Sequence, residues 1–586
     1  MSLNTDTKLD ELKKRIVDHL DKMYPDHNTS DICDRIVSLM NYEEVLFEAK
    51  QHCNLWSEND IVTITYGDSI KSPDHLPLDT LHHFLTENLQ ETISTVHILP
   101  FYPFSSDDGF SVINYSEVNQ SLGDWGNINK IADDFSLMAD LVINHCSSRS
   151  LWFDNYKQGK NPGSDYFIES DPKLDHSQVV RPRTSPLLRE TETLDGTKHI
   201  WCTFSHDQVD LNFKNPKVLL EFVKIIKLYL DNGVNLFRLD AVAFLWKKLG
   251  TPSINLLETH EIIRLLRLLI EHNNPDAIVI TETNIPNREN LSYFGNANEA
   301  HLIYNFTLPP LILYTLLSGK SDLLKQWMMS MPPAQNGTSY FNFIASHDGI
   351  GLRPVEGILD DETVDKIAEL MQSFGGDISW RTLADGQHRP YELNISLIDA
   401  MKGTFNGEDT HQLQRFICAH AIMLALEGMP AFYIHSLFAT HNDHHKMNAT
   451  SNKRSINRHN WDYDELTSLL SDKSTIHHNA FNQLKHIISI RKHQKAFHPN
   501  ATQFTMHFEE SLFAFWRQSQ DRSQSIFCIY NITNQVQSLA LQDINLVELD
   551  DWSDLISGHQ YNDPREIISL KPYEFIWISN KQGHNL

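Results

Sequence analysis

The sequence predicts an α/β protein built on a (β/α)8 barrel, and three observations support this fold class. Eight short apolar runs recur along the chain, helical patterns separate several of them, and each run ends in polar or glycine-containing sequence. Continuous apolar strands that alternate with helices are typical of a parallel sheet covered on both faces. Eight such units fit a closed TIM barrel, whose functional side chains lie at the carboxyl ends of the strands.

The apolar runs are short enough to be single strands. They start near residues 62, 94, 137, 233, 276, 299, 340 and 428, and read VTITYGDS, STVHILPFYP, LMADLVINH, GVNLFRLDA, DAIVITETN, EAHLIYNF, YFNFIASHDG and GMPAFYIHS. Two of the separating segments, PKVLLEFVKIIKLYLDN and LETHEIIRLLRLLIEHN, carry apolar residues at helical spacing. We therefore predict that strands and helices alternate through the barrel.

Other parts of the chain depart from this alternation. At the N-terminus, apolar residues recur every three or four positions, as helices require, at Leu12, Ile16, Leu20 and Met23. Two long loops, rich in polar and aromatic residues, follow strands 3 and 7, and long loops in compact domains are usually functional. Strand-like alternation returns after residue 500. We predict a helical extension at residues 1–58 and a catalytic barrel in two pieces, 59–145 and 217–499. An inserted domain follows strand 3 at residues 146–216, and an excursion within the barrel follows strand 7 at residues 351–411. Residues 500–586 are predicted to form a C-terminal β domain.

Composition narrows the class of partner. The chain has 586 residues with a formal charge of -27, from 49 basic and 76 acidic side chains, which argues against nucleic acid or an anionic membrane as a partner. Six scattered cysteines without CxxC pairs favour reduced thiols. The N-terminus lacks the pattern of a signal peptide, and no run approaches the roughly 20 apolar residues of a membrane span. We expect a cytoplasmic monomer or homodimer.

Charged and polar residues collect where the predicted strands end. They are Asp140, Asn144, His145, Arg238, Asp240, Glu282, His347 and Asp348. Arg238 and Asp240 are two residues apart in a strand and share a face, and a buried charge is costly unless it is paired or used. The pair is therefore either a structural ion pair or part of an active site. Likewise, Glu282 is either functional or a solvated strand end, and the histidines are either ligands of a substrate or hydrogen-bonded residues of the core.

Three carboxylates with an arginine and two histidines suit the cleavage of a glycosidic bond. In that chemistry one carboxylate attacks the anomeric carbon and a second, held protonated, donates to the leaving oxygen. Neighbouring negative charge raises the pKa of the acid, and an adjacent arginine keeps the nucleophile ionised. Arg238, on the strand face of Asp240, is placed for the second of these effects.

Four segments, DLVINH, FRLDAVAF, ITETN and ASHDG, resemble in order and spacing the signature segments of the α-amylase superfamily of glycoside hydrolases. This resemblance implies that Asp240 is the nucleophile and Glu282 the general acid/base. It also implies that Asp348 binds sugar hydroxyls and stabilises the transition state. The remaining residues that it assigns to the glucose subsite are His145, Arg238 and His347.

Further segments resemble the sucrose phosphorylase branch of that superfamily. They are TITYGDSI, LPFYPFSSDDGFSVINY, TFSHDQVDLN, ASHDGIGLRPVEGIL and NKRSINRHNW. This resemblance implies that Asp107 and Arg458 contact glucose, with Phe204 and Gln208 near the acceptor; a one-residue shift in SSDDGF would replace Asp107 by Asp108. The extended N-terminus and GGDISWRTLADGQHRPYELNI are most similar to the longer glucosylglycerate phosphorylases.

Such enzymes form a β-glucosyl-aspartate that phosphate, rather than water, attacks to give α-glucose 1-phosphate. The resemblance thus implies phosphate as co-substrate and no cofactor. The aromatic residues Trp152, Phe153 and Phe204, with the 351–411 excursion, are candidates to cover the mouth and exclude water. Candidates for binding phosphate or the glycerate carboxylate are Arg353, Arg381, His388, Arg389 and Tyr391.

Other ligand sites are not supported by the sequence. The run HNDHH at residues 441–445 lacks the fixed helical spacing of metal-ligating histidines, and we predict no metal. GIGLRPVEG lacks the strand–glycine–helix context of a dinucleotide site, and no P-loop pattern is present.

Three alternative functions stay open at this point. The first is a sucrose phosphorylase, or another glucoside phosphorylase of the same branch. The second is an α-glucosidase or transglucosylase on the same scaffold. The third is a non-catalytic amylase-like protein, against which the presence of Asp240, Glu282 and Asp348 argues.

Overall fold

Eight parallel strands form a closed barrel. The structure, a computed structural model, describes residues 5–182, 185–382, 387–544, 552–563 and 565–580. In chain order the barrel strands are β1 (Val62–Thr65), β2 (Thr95–Ile98), β3 (Ser136–Val142), β4 (Val234–Asp240), β5 (Ile278–Thr281), β6 (Leu302–Tyr304), β7 (Ser339–Asn342) and β8 (Met429–Tyr433). Each predicted apolar run overlaps one of these strands, which confirms the predicted TIM barrel.

Each barrel strand pairs in parallel with its sequence neighbours, and β1 closes the ring. Val62 lies opposite Thr95 of β2 on one side and opposite Ala431 of β8 on the other. Strand residues are almost all buried, because helices cover the outer face while side chains fill the interior. Closure brings all eight carboxyl ends to one mouth.

Helices surround the barrel between successive strands, and the last helix follows β8. Their bounds are Pro77–Leu89, Trp125–Asp134, Pro216–Asp231, Leu257–Asn273, Asn287–Leu291, Leu308–Ser318, Asp322–Ser330, Gln412–Ala425 and Ile476–Lys492. Capping residues fix where these helices begin. Asp124 and Asn127 form a reciprocal capping box at the start of the helix Trp125–Asp134. Asn215 caps the helix Pro216–Asp231, which has proline as its first residue.

The N-terminal segment is helical and packs against the barrel. Its helices are Thr5–Met23 and Thr29–Leu39. The four apolar positions that predict the first helix are all buried. The helix lies against Leu257–Asn273, and His19 Nδ1 lies 2.7 Å from Glu261 Oε2 across that contact. Residues 1–4 of the predicted extension lie outside the described residues.

A long insertion follows β3. It contains the helix Leu151–Lys157, the hairpin Leu188–Thr193 with Gly196–Trp201, and two short strands, His145–Ser147 and Gln208–Asp210, that pair with each other. This last pairing begins one strand at His145 and brings Gln208 to the barrel mouth.

A second insertion follows β7 and forms a three-stranded sheet. Its strands are Ile350–Gly351, Asp377–Thr382 and His388–Asn394, and the helix Asp361–Ser373 packs against them. After β8 the chain crosses the mouth again through the 3-10 turn Lys453–Asn457. Both segments contribute side chains to the pocket described below.

The C-terminal region is a β structure. A six-stranded sheet runs in the order Thr502–Thr505, Leu512–Gln518, Ser525–Asn531, Phe575–Ser579, Trp552–Asp554 and Gln560–Tyr561, and Gln537–Ala540 pairs with Ile567–Leu570. The predicted range extends over residues 545–551, 564 and 581–586, which lie outside the described residues. Within the described part of the chain, no helix combines the length and apolar character needed to cross a bilayer.

Candidate active site

The carboxyl ends of the barrel strands bring the predicted charged residues together. Asp140 of β3 lies opposite Arg238 of β4, Asp240 ends β4, and Glu282 and Asp348 follow β5 and β7. A pocket with an empty volume of about 690 Å³ opens at this mouth, and Asp240, Glu282 and Asp348 all line it. The three carboxylates therefore face one cavity although they are distant in sequence.

Arg238 lies beneath the pocket and organises the carboxylates above it. Its Nη1 donates to Asp240 Oδ1 at 2.7 Å and also pairs with Asp140, while its Nη2 lies 3.9 Å from Glu282 Oε1. The side chain is only 2% exposed and is not among the described residues that line the pocket. The two readings of the Arg238–Asp240 motif are therefore compatible: the ion pair exists, and it fixes a carboxylate of the pocket.

Burial raises the pKa of both Asp240 and Glu282. The positive charge of Arg238 opposes the rise of both pKa values. The negative charge of Glu282 raises the pKa of Asp240 further, and the negative charge of Asp348 raises the pKa of Glu282 further. Two desolvated carboxylates in one site titrate as a pair, and a single shared proton is favoured. We infer that Glu282 holds that proton, because Arg238 donates a direct hydrogen bond to Asp240 at 2.7 Å but lies 3.9 Å from Glu282, which accepts from the neutral backbone N–H of Ala241. Asp240 is then the ionised member of the pair.

Asp348 is held in its ionised form. Arg454 Nη1 lies 2.5 Å from Asp348 Oδ1, and Arg458 Nη2 lies at 3.7 Å. Although burial opposes the effect, the charges of Arg454 and Arg458 keep the pKa of Asp348 well below its usual range. The guanidinium of Arg454 also donates to both oxygens of Glu392, through Nε at 2.9 Å and Nη2 at 2.6 Å. Arg454 thus bridges two carboxylates.

A chain of hydrogen bonds fixes the ring of His145. His145 Nε2 lies 2.9 Å from the carbonyl of Phe110, which can only accept, so Nε2 carries the proton. Nδ1 then accepts from Asn144 Nδ2 at 3.2 Å, and Asn144 Oδ1 accepts from Lys247 Nζ at 2.5 Å. Lys247 also pairs with Asp210 at 2.8 Å. Burial lowers the pKa of His145, which agrees with a neutral imidazole in this network.

His347 packs flat against an aromatic ring at the pocket wall. Its ring stacks on Phe110 with the centroids 5.0 Å apart. Burial lowers the pKa of His347 to about 3, so it is neutral near pH 7. Both predicted histidines therefore line the pocket as neutral rings.

The loop after β2 separates the two candidate aspartates. Asp107 and Asp108 have φ values of +53° and +46°, and Gly109 has +115°, so three successive residues are left-handed. A side chain at Gly109 is excluded, because a Cβ there would lie 2.5 Å from the carbonyl oxygen of Pro100. Asp107 lines the pocket, whereas Asp108 pairs with Arg458 at 2.5 Å. The alternative alignment therefore concerns two residues with different surroundings.

Arg458 lies behind the wall of the pocket. It is 1% exposed, its Nε donates to the carbonyl of His347 at 2.8 Å, and it pairs with Asp108. It is not among the described residues that line the pocket. In this arrangement Arg458 supports the His347–Asp348 turn from behind.

Two of the predicted residues of the first insertion reach the pocket. Gln208 Nε2 donates to the carbonyl of Phe110 at 3.1 Å and lies 3.4 Å from Asp107 Oδ2. The ring of Phe204 lies 5.3 Å from that of His145. Both line the pocket beside the carboxylates.

The other two aromatic candidates of that insertion lie elsewhere. Phe153 is fully buried and packs edge-on against Phe167, with the centroids 4.9 Å apart. Trp152 stacks on Tyr115 at 5.6 Å. Neither belongs to the described wall of the pocket, so the expectation that they cover the mouth is wrong. Phe153 packs inside the insertion instead, and Trp152 packs the insertion against Tyr115 and Phe222 of the barrel domain.

The five candidates for binding an anion divide into two groups. Arg353 and Tyr391 line the main pocket. A separate cleft on the second insertion is lined by Arg381, His388 and Arg389. Within that cleft Arg381 pairs with Glu356, and Arg389 pairs with Asp361 at 2.6 Å. The structure thus places the second group in a cleft apart from Asp240, Glu282 and Asp348, and a role of this group in binding phosphate or glycerate stays a prediction.

A β-bulge explains this division. Along the hairpin, Ser379 lies opposite Glu392, but the next residue, Trp380, lies opposite Pro390. Tyr391 is the extra residue, and a bulge re-aims the side chains around it. Simple alternation would have put Arg389 and Tyr391 on one face.

The sequence reasoning missed several residues of the pocket wall. They are Phe110, Pro182, Ala241, Ala243, Phe244, Thr283, Asn284 and Arg454. All of them except Pro182 had a usable signal, because they lie in the quoted segments LPFYPFSSDDGFSVINY, FRLDAVAF, ITETN and NKRSINRHNW. In the described part of the chain, no three His, Cys, Asp or Glu side chains are grouped as metal ligands.

Comparison with known proteins places the chain in a family. Residues 89–370 match the model of the α-amylase catalytic domain. The chain is 40% identical to a glucosylglycerate phosphorylase of Spirochaeta thermophila, over 89% of this chain and 90% of that protein. It is 37% identical to one of Escherichia coli, over 97% of this chain and 100% of that protein.

Solved structures agree with this placement. The crystal structure of sucrose 6F-phosphate phosphorylase from Thermoanaerobacter thermosaccharolyticum superposes with a TM-score of 0.70 at 25% identity, over 81% of this chain and 94% of that chain. The chain is therefore an enzyme of the α-amylase family and belongs to the group of the glucosylglycerate phosphorylases.

Proposed function

We propose that the enzyme is a retaining phosphorylase of 2-O-α-glucosylglycerate, and that it forms α-glucose 1-phosphate and glycerate reversibly. The observation that carries this proposal is the 37% identity to the glucosylglycerate phosphorylase of Escherichia coli over that protein's entire length. The pocket adds a chemical reason: an arginine-bonded Asp240 faces the same cavity as a Glu282 whose pKa is raised.

In the first step, Asp240 attacks the anomeric carbon of the glucosyl unit. The hydrogen bond from Arg238 at 2.7 Å favours the ionised carboxylate that this attack requires. Glu282, holding the shared proton, donates it to the leaving glycerate oxygen as the glycosidic bond breaks. The products are a β-glucosyl ester of Asp240, glycerate and an ionised Glu282.

In the second step, hydrogen phosphate attacks the ester from the side that glycerate has left. Glu282 takes the proton of the attacking phosphate oxygen, the ester bond breaks, and Asp240 becomes a free carboxylate again. Two inversions at one carbon give net retention, so the product is the α-anomer. Asp348, ionised by Arg454 and its neighbours, is suited to bind glucose hydroxyls throughout.

Phosphate is the proposed co-substrate, and the proposal requires no cofactor. The proposed location is the cytoplasm: the six cysteines, all within the described residues, form no disulfide with one another, as expected of reduced thiols. We also propose that residues 146–216 and 351–411 act as loop domains of the barrel, because each contributes residues to the pocket wall.

The test is incubation with 2-O-α-glucosylglycerate in the presence and absence of phosphate. The proposal predicts glucose 1-phosphate with phosphate and little free glucose without it. Glucose release at one rate in both conditions would instead assign a hydrolase. Replacing the substrate by sucrose tests the sucrose phosphorylase alternative, and Asp240→Asn is the control, for which no turnover is expected.

A further inference from the structure

The proposed reaction requires the pocket to bind two anions in turn. Glycerate carries a carboxylate and phosphate carries up to two negative charges, and both occupy the acceptor side of the glucosyl unit. Among the described residues, four carboxylates line this pocket, namely Asp107, Asp240, Glu282 and Asp348. An incoming anion therefore meets repulsion unless a cation that is not already neutralised lies on the acceptor side.

Two arginines are found among the described residues of the pocket wall, Arg353 and Arg454. The charge of Arg454 is already shared by two carboxylates: Nη1 lies 2.5 Å from Asp348, and Nε and Nη2 donate to Glu392 at 2.9 and 2.6 Å. A guanidinium with both edges occupied has little left to offer a third anion. Arg454 is thus committed to the protein itself.

Arg353 is in a different position. It opens the 3-10 turn Arg353–Val355 in the second insertion and is partly exposed at the pocket. Among the salt bridges formed by the described residues, none involves Arg353, whereas Arg381 and Arg389 of the same insertion each pair with a carboxylate. Its guanidinium is therefore available to a ligand.

The turn that carries Arg353 lies on the acceptor side. Glu282 must face the glycosidic oxygen, so the residues just beyond it, up to Asn284, belong to the side of the leaving group. Gly351 packs against that segment: a methyl group at Gly351 would lie 3.1 Å from Asn284 Nδ2. The backbone N–H of Leu352 donates to the carbonyl of Tyr391 at 3.0 Å, which ties the turn to another residue of the pocket wall.

We propose that Arg353 is the anion-binding residue of the acceptor subsite, and that the glycerate carboxylate and phosphate use it in turn. This inference rests on the proposed function. It makes Arg353 the residue that selects an acid acceptor over its neutral analogue, glycerol, in which a CH2OH group replaces the carboxylate. A bidentate contact to a guanidinium suits both anions, since each presents two oxygens in a fork.

The test compares Arg353→Met with the wild-type enzyme and with Arg288→Met. Arg288 is an exposed arginine beyond Asn284 that does not line the described pocket, so Arg288→Met removes the same charge elsewhere. Three rates are measured: phosphorolysis of glucosylglycerate at varied phosphate, synthesis from glucose 1-phosphate with glycerate or glycerol, and fluoride release from α-glucosyl fluoride in phosphate-free buffer. Arg353→Lys is a second variant that keeps the charge.

For Arg353→Met we expect the KM for phosphate and the KM for glycerate each to rise about 10- to 100-fold, as the loss of hydrogen bonds to a charged group implies. The use of glycerol and fluoride release should stay within about twofold, and Arg353→Lys should recover part of the loss. Unchanged KM values, or a rise in only one of them, would overturn the shared subsite, and so would an equal loss of fluoride release. If the wild-type enzyme forms no glucose 1-phosphate at all, the proposed function fails instead.

Discussion

Arg454 bridges Asp348 and Glu392, and the loss of stability on removing this bridge can be estimated from the contacts that it makes. Arg454→Met deletes the contact with Asp348 at 2.5 Å and two hydrogen bonds to Glu392 at 2.9 and 2.6 Å. It leaves a Glu392 side chain that is 2% exposed without its cation. Leaving one partner of a buried ion pair uncompensated costs about 3–5 kcal/mol, a large share of a typical stability of about 5–15 kcal/mol.

The change is expected to affect both stability and activity. The urea midpoint should fall, because Glu392 is buried without a partner. The pKa of Asp348 should rise toward its usual range, because the charge of Arg454 is the largest effect that lowers it. With Asp348 less completely ionised, kcat/KM for glucosylglycerate should drop at least tenfold, and the drop should be larger at acid pH.

A double-mutant cycle isolates the bridge. Glu392→Gln in the Arg454→Met background removes the unpartnered charge, so the double variant should be more stable than the sum of the two single effects predicts. Arg389→Met is the matched control, since its partner Asp361 is exposed and a surface pair contributes only about 0–1 kcal/mol. Additive effects, or an Arg454→Met midpoint equal to that of Arg389→Met, would refute the reasoning.

Three further predictions concern the acid and the buried lysine. Glu282→Gln should lower kcat/KM for glucosylglycerate by about 10²- to 10⁴-fold but spare α-glucosyl fluoride, whose leaving group needs no proton; equal losses in a side-by-side assay would contradict the assignment. The raised pKa of Glu282 means that it keeps its proton above the usual range for a glutamate, and since a general acid works only when protonated, the rate should fall as pH rises through that pKa. The check is the pH–rate profile of Glu282→Gln with glucosyl fluoride. If the rate of this variant still falls as pH rises, a group other than Glu282 causes the fall. Lys247→Met should lower the urea midpoint by an amount equivalent to about 3–5 kcal/mol, because it leaves Asp210 buried without its partner at 2.8 Å; an unchanged midpoint would contradict the network that positions His145.

The barrel and the carboxylates of its pocket were predictable from the sequence because their signals are local. Each apolar run predicts a strand and the polar residues at its end. Because the parallel strands close into a barrel, their carboxyl ends all lie at one mouth. Arg238 and Asp240 are a further local signal, since the two-residue period of a strand fixes their common face. The position of Asp240, Glu282 and Asp348 in one pocket agrees with that expectation.

The loops were less predictable because their geometry depends on long-range pairing. The partner of Arg454 is Glu392, which is 62 residues away. The sequence around each residue contains no pattern that predicts this pair. The bulge at Tyr391 reverses the faces that alternation predicts for the hairpin. For this reason Arg389 and Tyr391 looked equivalent in the sequence, while the structure places Tyr391 at the main pocket and Arg389 in a different cleft.

The aromatic candidates of the first insertion show the same limit. A loop rich in large rings can cover a mouth or build its own small core, and composition does not distinguish the two. Phe153 is fully buried against Phe167 in the insertion's core, and Trp152 stacks on Tyr115 of the barrel domain, whereas Phe204 lines the pocket.

The most direct test of the account is the anomeric configuration of the first product, followed by proton NMR from the start of the reaction. With 2-O-α-glucosylglycerate and phosphate, the account predicts α-glucose 1-phosphate and glycerate in equal amounts, and no signal for either from Asp240→Asn. Initial formation of β-glucose 1-phosphate would contradict the double displacement through Asp240. Free glucose in place of the phosphate ester would contradict the assignment as a phosphorylase.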